Sequence, residues 1–152
     1  MGLDQEWLKK VVVKLLQEEE QKVEKEYLPK LSFQMIKFKS LNRSKDFLKI
    51  LKKKKLNTKY YTIYFDQSLK NLSKNLNISF VMKKKIGNAI IRNKIKRKLR
   101  YAVQKISREN KLINLNYTYV IFGKNNVYKD KFSDVLYQVN ETFKKIRQMD
   151  NQ

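Results

Sequence analysis

The sequence contains no cysteine and no histidine, and only one proline and three glycines. Without cysteine there is no disulfide, no thiolate nucleophile and no sulfur-held metal, a usage that fits a reducing compartment. Without histidine the commonest general base near neutral pH and the commonest metal ligand are both missing. The scarcity of glycine and proline leaves no low-complexity linker. No run approaches the roughly 18 apolar residues of a membrane span. The segment "WLKKVVVKLL" (7–16) is broken by Lys9, Lys10 and Lys14, and no small-residue cleavage site follows it, so it makes a poor signal peptide.

Acidic residues are also few, 14 against 36 lysines and arginines, for a net charge of +22. The imbalance is partitioned. Residues 1–34 hold seven acidic and six basic residues, and the rest of the chain holds seven acidic and 30 basic. Such a charge calls for a polyanion. Nucleic acid is the leading partner, through counterion release from phosphates. An anionic membrane surface and an acidic protein come second and third. The seven acids of the basic part are Asp46, Asp66, Glu109, Asp130, Asp134, Glu141 and Asp150. Only Asp130 and Asp134 stand at helical spacing, and Asp130 near a helix start answers to the helix dipole. A two-metal nuclease needs several convergent carboxylates, so these scattered acids argue against a protein-borne active site.

Residues 3–27 read as an amphipathic helix, with Leu3, Trp7, Val11 and Leu15 at every fourth position and Pro29 ending it. Met35 stands where the charge balance changes. The expected division is therefore a helical extension over 1–34 and a basic domain over 35–152. Residues 44–55 read as a second helix with Ser44 as N-cap. "KYYTIYF" (59–65) reads as a strand with Tyr61, Ile63 and Phe65 on one face and Tyr60, Thr62 and Tyr64 on the other. A loop over 66–76 leads to a second strand over 77–83, with Ile78, Phe80 and Met82 inward. A helix over 89–107, a strand over 117–123 and a helix over 130–147 complete an α+β chain, with helices packed on one small mixed sheet.

The helix within "KKKIGNAIIRNKIKRKLR" (83–100) decides the reading. On a wheel of about 100° per residue, Ile91, Ala102, Ile95, Ile106, Leu99 and Val103 span about 0–120°. Lys96, Arg100, Asn93, Arg97 and Lys94 span about 140–300°, Lys98 lies at the far boundary, and Arg92 intrudes on the apolar stripe at about 100°. No acid stands between residues 83 and 108. Ordinary solvated faces mix signs, because like charges at i and i+4 repel. This face reads as a phosphate-binding surface. Gly87 permits a turn or close approach where the helix begins.

The same stretch resembles the signature of the bacterial ribonuclease P protein subunit, approximately K-K-x-G-x-A-V-x-R-N-x-I-K-R-x-x-R. Lys84, Lys85, Gly87, Ala89, Arg92, Asn93, Ile95, Lys96, Arg97 and Arg100 match it. Weaker similarity extends over about residues 35–148. Lys94 stands where the family usually has arginine, which keeps the charge and loses the bidentate fork. Leu51 stands in place of a second aromatic, and the family's glycine is absent among Lys52–Lys55.

The resemblance implies a left-handed βαβ crossover through the basic helix. It also implies removal of the 5′ leader of precursor tRNA, as the small subunit of an endoribonuclease ribonucleoprotein whose RNA is the catalyst. Lys84, Lys85, Arg92, Asn93, Lys94, Lys96, Arg97 and Arg100 are then the expected RNA contacts. Phe47, Leu51, Thr62 and Tyr64 are the expected leader contacts, although Phe47 and Leu51 also read as packing between helix and sheet. The expected partners are the ribonuclease P RNA and precursor tRNA, without membrane or DNA, in the cytoplasm. No catalytic residue, protein-held metal or organic cofactor is expected, and Mg2+ would be held mainly by RNA. The competing reading is a structural RNA-binding protein of ribosomal or chaperone type.

From the missing histidine and scattered acids, the chain freed of all RNA is expected not to cut precursor tRNA. Incubation of RNA-free protein with end-labelled precursor checks this, and sustained 5′ cleavage would place an active site in the protein.

Overall fold

The computed structural model describes residues 36–67, 75–109 and 111–152. The helix expected over 3–27 and the boundary at Met35 lie outside them, as does most of the loop expected over 66–76. Residues Ile36–Gln152 form one compact unit.

The elements are β1 (Phe38–Lys39), α1 (Ser44–Leu51), β2 (Lys54–Asn57), β3 (Tyr61–Gln67) and β4 (Leu76–Val81), followed by a 3-10 turn at Lys84–Ile86. Then come α2 (Ala89–Glu109), β5 (Tyr117–Gly123), α3 (Asn126–Lys129) and α4 (Phe132–Asp150). One five-stranded sheet runs in the order β1-β4-β5-β3-β2. β4 pairs parallel with both β1 and β5, while β3 pairs antiparallel with β5 and β2. The parallel β4–β5 pair is joined through α2, so the basic helix is the crossover of a βαβ unit.

The core lies on one sheet face. Tyr61, Ile63 and Phe65 of β3, Leu76, Ile78 and Phe80 of β4, and Tyr119 and Ile121 of β5 alternate onto it, as strand geometry requires. Against them α2 buries Ile95, Leu99, Ala102, Val103 and Ile106. α4 buries Val135, Val139, Thr142, Phe143 and Ile146 and packs on α2. The buried Tyr61 hydroxyl donates to Thr142 Oγ1 at 2.7 Å, and that hydroxyl donates to Gln138 O at 2.8 Å, so the phenol is satisfied in the core. α1 lies on β3 and β5, with Ile50 buried. Its Phe47 meets Phe122, whose strand neighbour Ile121 faces the core. α1 therefore covers the opposite face of the sheet.

Asn88 caps α2: its Oδ1 accepts from Ile91 N–H at 3.0 Å and its carbonyl from Arg92 N–H at 3.1 Å. Gly123 lets this helix come close to β5. A Cβ there would lie 2.6 Å from Met82 Sδ and 3.0 Å from Ile95 Cγ2.

Several elements differ from expectation. The helix expected over 44–55 stops at Leu51, and Lys54–Asn57 become an edge strand paired with Phe65–Thr62. Four successive lysines would repel along one helix turn. Lys52 and Lys53 instead form the turn after α1, and Lys54 and Lys55 on the edge strand stay in water and block pairing with other chains. Ser44 is the first helical residue rather than the cap, and Arg43 at the cap position makes no side-chain hydrogen bond. The helix expected over 130–147 runs from Phe132 to Asp150, and a short α3 that the sequence reading did not place precedes it, separated from it by the extended backbone of Asp130.

Asp130 answers to tertiary partners rather than to a helix dipole. Its carboxylate accepts from Lys59 Nζ at 2.6 Å and from the Tyr60 hydroxyl at 2.8 Å. Its carbonyl, with that of Val127, accepts from Lys98 Nζ. This clasp ties the start of β3 to the α3–α4 junction and to α2. Tyr60 precedes the strand, so alternation does not govern it. It is buried against Asp130 and does not share the face of Thr62 and Tyr64.

Hydrogen bonds from Lys59 and then Tyr60 hold the Asp130 carboxyl below its ordinary pKa. A carboxyl whose folded pKa is depressed adds stability above its unfolded value and loses it as pH falls through the folded value. The thermal midpoint of the wild-type chain should therefore fall more steeply than that of Asp130→Asn on acidification below about pH 5. Parallel melting curves for the two proteins would show that the clasp adds no acid-sensitive stability.

Candidate RNA interface

The solvent side of α2 carries the expected cations. Asn93, Lys94, Lys96, Arg97 and Arg100 are exposed, as are Lys84 and Lys85 in the preceding turn. Arg92, which the wheel sets at the edge of the apolar stripe, is half-buried. Its Nε is buried without a hydrogen-bond partner. It lines a groove of about 220 Å³ with Phe80, Met82, Ala89, Asn93 and Lys96, at the seam of β4 and α2. The Arg100 guanidinium stands 5.8 Å from the Phe80 ring centroid, above the same seam. An apolar floor beneath a cationic rim suits a nucleic-acid backbone: phosphates meet the rim, and the low-dielectric floor strengthens each charge.

Lys98 does not belong to this face. Its ammonium donates to the carbonyls of Val127 and Asp130, where it satisfies the C-terminal end of α3. The sequence sets Lys98 at the boundary of the cationic face, but only the fold shows which way the side chain turns.

The second cluster lies on the opposite sheet face. Phe122 is its centre. The Tyr64 ring meets it edge-on at 5.6 Å and 74°, and Phe47 of α1 meets it at 6.1 Å and 63°. The Lys83 ammonium stands 5.9 Å from the same ring. Thr62 is directly opposite Phe122 in the β3–β5 register, and its hydroxyl donates to Asn57 Oδ1 at 3.0 Å. Lys124 Nζ also reaches Asn57 Oδ1, at 2.6 Å, and so links β2 to the end of β5. Phe47, Leu51, Thr62, Tyr64 and Phe122 are all half-buried, so each of these side chains both packs and presents surface. Leu51, at the last turn of α1, supplies apolar area but no ring.

Sequence reasoning missed Phe122 and Lys83 as members of this cluster. The alternation in "YTYVIFG" already sets Phe122 opposite in face to Tyr119 and Ile121. What it lacks is the strand pairing that brings Phe122 beside Thr62. Among the described residues no three carboxylates come together as a metal site. Nor is any described helix long and apolar enough to cross a membrane.

A cationic helix face and a half-open aromatic sheet face, both on one small α+β scaffold, have the composition of a nucleic-acid-binding protein. The comparisons agree and go further. The Ribonuclease P family model matches residues 35–147. The RNase P protein from Thermotoga maritima is 24% identical, with a TM-score of 0.55 over 70% of this chain and 96% of that one. The same protein in complex with 1-(4-fluorophenyl)-2-thiourea is 25% identical, with a TM-score of 0.56 over 68% and 96%. A Staphylococcus aureus RNase P protein mutant with defective mRNA degradation activity is 21% identical, with a TM-score of 0.56 over 72% and 87%. No curated protein sequence gives a significant match. The chain belongs to the Ribonuclease P family and is the protein subunit of that endoribonuclease ribonucleoprotein.

Neighbouring lysine and arginine on α2 should behave differently on substitution. Arg97→Ala should weaken binding to ribonuclease P RNA and flatten the salt dependence by about one unit of slope at most. Lys98→Met should leave the slope unchanged and lower the thermal midpoint instead, because its ammonium serves α3. Binding titrations over a salt series with parallel melts separate the two, and a reduced slope for Lys98→Met would contradict the assignment.

Proposed function

We propose that the two faces hold two RNA segments at once. Lys84, Lys85, Arg92, Asn93, Lys94, Lys96, Arg97 and Arg100 take phosphates of the ribonuclease P RNA. Phe47, Thr62 and Tyr64, with Leu51 as an apolar flank, hold the unpaired 5′ leader of precursor tRNA. The observation that carries this reading is the ring cluster of Phe47, Phe122 and Tyr64 on the sheet face opposite the basic helix. One strand can occupy each side without competing for the same cations.

The protein's part is binding and orientation. Rings accept a leader of any sequence because every base has a π-face. The Tyr64 hydroxyl adds a polar handle. α2 lowers the cost of bringing two polyanions together by replacing their condensed counterions. Hydrolysis of the phosphodiester belongs to the RNA subunit. Mg2+, held by RNA phosphates, would supply the charge stabilisation there. The absence of cysteine and the tRNA substrate fit the cytoplasm.

The test adds the full chain to ribonuclease P RNA at low magnesium and follows 5′ processing, then compares precursor with mature tRNA. Wild-type protein should restore processing. Tyr64→Ala should spare assembly with the RNA subunit and weaken precursor by about 1–3 kcal/mol, or roughly tenfold to a hundredfold. Mature tRNA, which has no leader, should be unaffected. Equal losses for the two tRNAs would reduce Tyr64 to a packing residue and remove the basis for a leader cleft.

A further inference from the structure

One flank of the basic helix and the adjoining α3 carry two exposed tyrosines, Tyr101 and Tyr128, that neither proposed contact uses. Lys94, Lys98 and Tyr101 stand at i, i+4 and i+7 of α2, on one line of the helix surface. Tyr101 is 53% exposed, and its ring lies 5.3 Å from that of Phe132 at the start of α4, tilted by 43°. Tyr128 of α3 is 44% exposed, and the Lys94 ammonium stands 5.8 Å from its ring centroid. The position of Tyr128 is fixed from below. The preceding residue, Val127, is buried, and its carbonyl is held by Lys98 Nζ at 2.8 Å. The nearby Asp130 carboxylate is engaged by Lys59 and Tyr60.

We infer that Tyr101 and Tyr128 form a second stacking site, which takes unpaired bases of the ribonuclease P RNA while Lys94 and Arg97 hold the adjoining phosphates. The inference rests on the reading of α2 as the face toward that RNA. Two half-exposed rings set between cations have the composition of a single-strand platform, in which stacking and charge act on adjacent parts of one nucleotide. The leader is not the occupant, because its proposed cleft lies on the other face of the sheet. A second copy of the chain is disfavoured by charge: Lys94, against the Tyr128 ring, Arg97, one turn before Tyr101, and Lys129, next to Tyr128 in the chain, are all exposed, and like would meet like.

The experiment uses the full chain and ribonuclease P RNA without tRNA, so that the leader cleft has no ligand. Affinity is measured over a salt series for the wild type, for the double variant Tyr101→Ser/Tyr128→Ser, and for Tyr101→Phe/Tyr128→Phe. The serine pair should bind roughly tenfold to a hundredfold more weakly with an unchanged salt slope. The phenylalanine pair should stay within about twofold of the wild type, since the ring does the stacking. Melting curves confirm that each variant is folded. A serine-pair loss below about twofold, an equal loss in the phenylalanine pair, or a flattened salt slope would each overturn the stacking site. An unrelated structured RNA of the same length runs in parallel. If the wild type does not prefer ribonuclease P RNA over it, the assembly reading fails, while the serine-pair comparison on either RNA still decides the stacking.

Discussion

The structure depends on the seating of the apolar stripe of α2 against the sheet. Without it, "IRNKIKRKLR" is a run of like charges. Arg92–Lys96, Lys96–Arg100 and Lys94–Lys98 are like pairs at i and i+4, each costing about 0.2–0.5 kcal/mol. Burial of Ile95, Leu99, Val103 and Ile106 favours the docked helix by about 1.5–3 kcal/mol for each side chain. One buried leucine therefore outweighs several of the repulsions. The core does not tolerate the cationic face so much as impose it, because the residues left over after the stripe is buried have only solvent, or a polyanion, to face.

The same docking places the cationic helix face and the aromatic sheet face relative to each other. Gly123 lets Ile95 approach β5 closely, and Met82 closes over the same spot. This brings the amino-terminal turns of α2 down to β4, where Phe80 and Met82 floor the groove under Arg92 and Lys96. One residue earlier in β5, Phe122 points through to the other face and centres the aromatic cluster. A single pair of adjacent residues in β5 thus serves both sides. A substitution that shifted β5 would disturb the groove and the cleft together.

What the sequence makes legible is what periodicity carries. The stripe of α2, the inward set Tyr61, Ile63 and Phe65, and the cationic face follow from spacings of 3.6 and 2. The illegible parts depend on partners distant in the chain. Tyr60, one residue before β3, is buried where Asp130, 70 residues away, accepts a hydrogen bond from its hydroxyl. Lys54 and Lys55 read as helix until β3 offers an edge to pair with. Phe122 joins Phe47 and Tyr64 only through the β3–β5 register. Lys98 looks like its neighbours in sequence and is drawn away from them by the carbonyls of Val127 and Asp130 at the end of α3.

The composition also fixes how such an interface is controlled. With no histidine and no cysteine, no side chain of ordinary pKa titrates between about pH 6 and 8. The tyrosines with shifted phenols move the other way: Tyr117, beside Asp150, is pushed up to about 12. The charge presented to RNA is therefore nearly constant across physiological pH. Ionic strength then governs the phosphate contacts, because each cation that meets a phosphate displaces counterions. Ring contacts carry no such term. If the proposed division of labour holds, contacts of α2 to phosphates and contacts of the rings to unpaired bases respond to different variables, and the proposed leader contacts persist when salt weakens the backbone contacts.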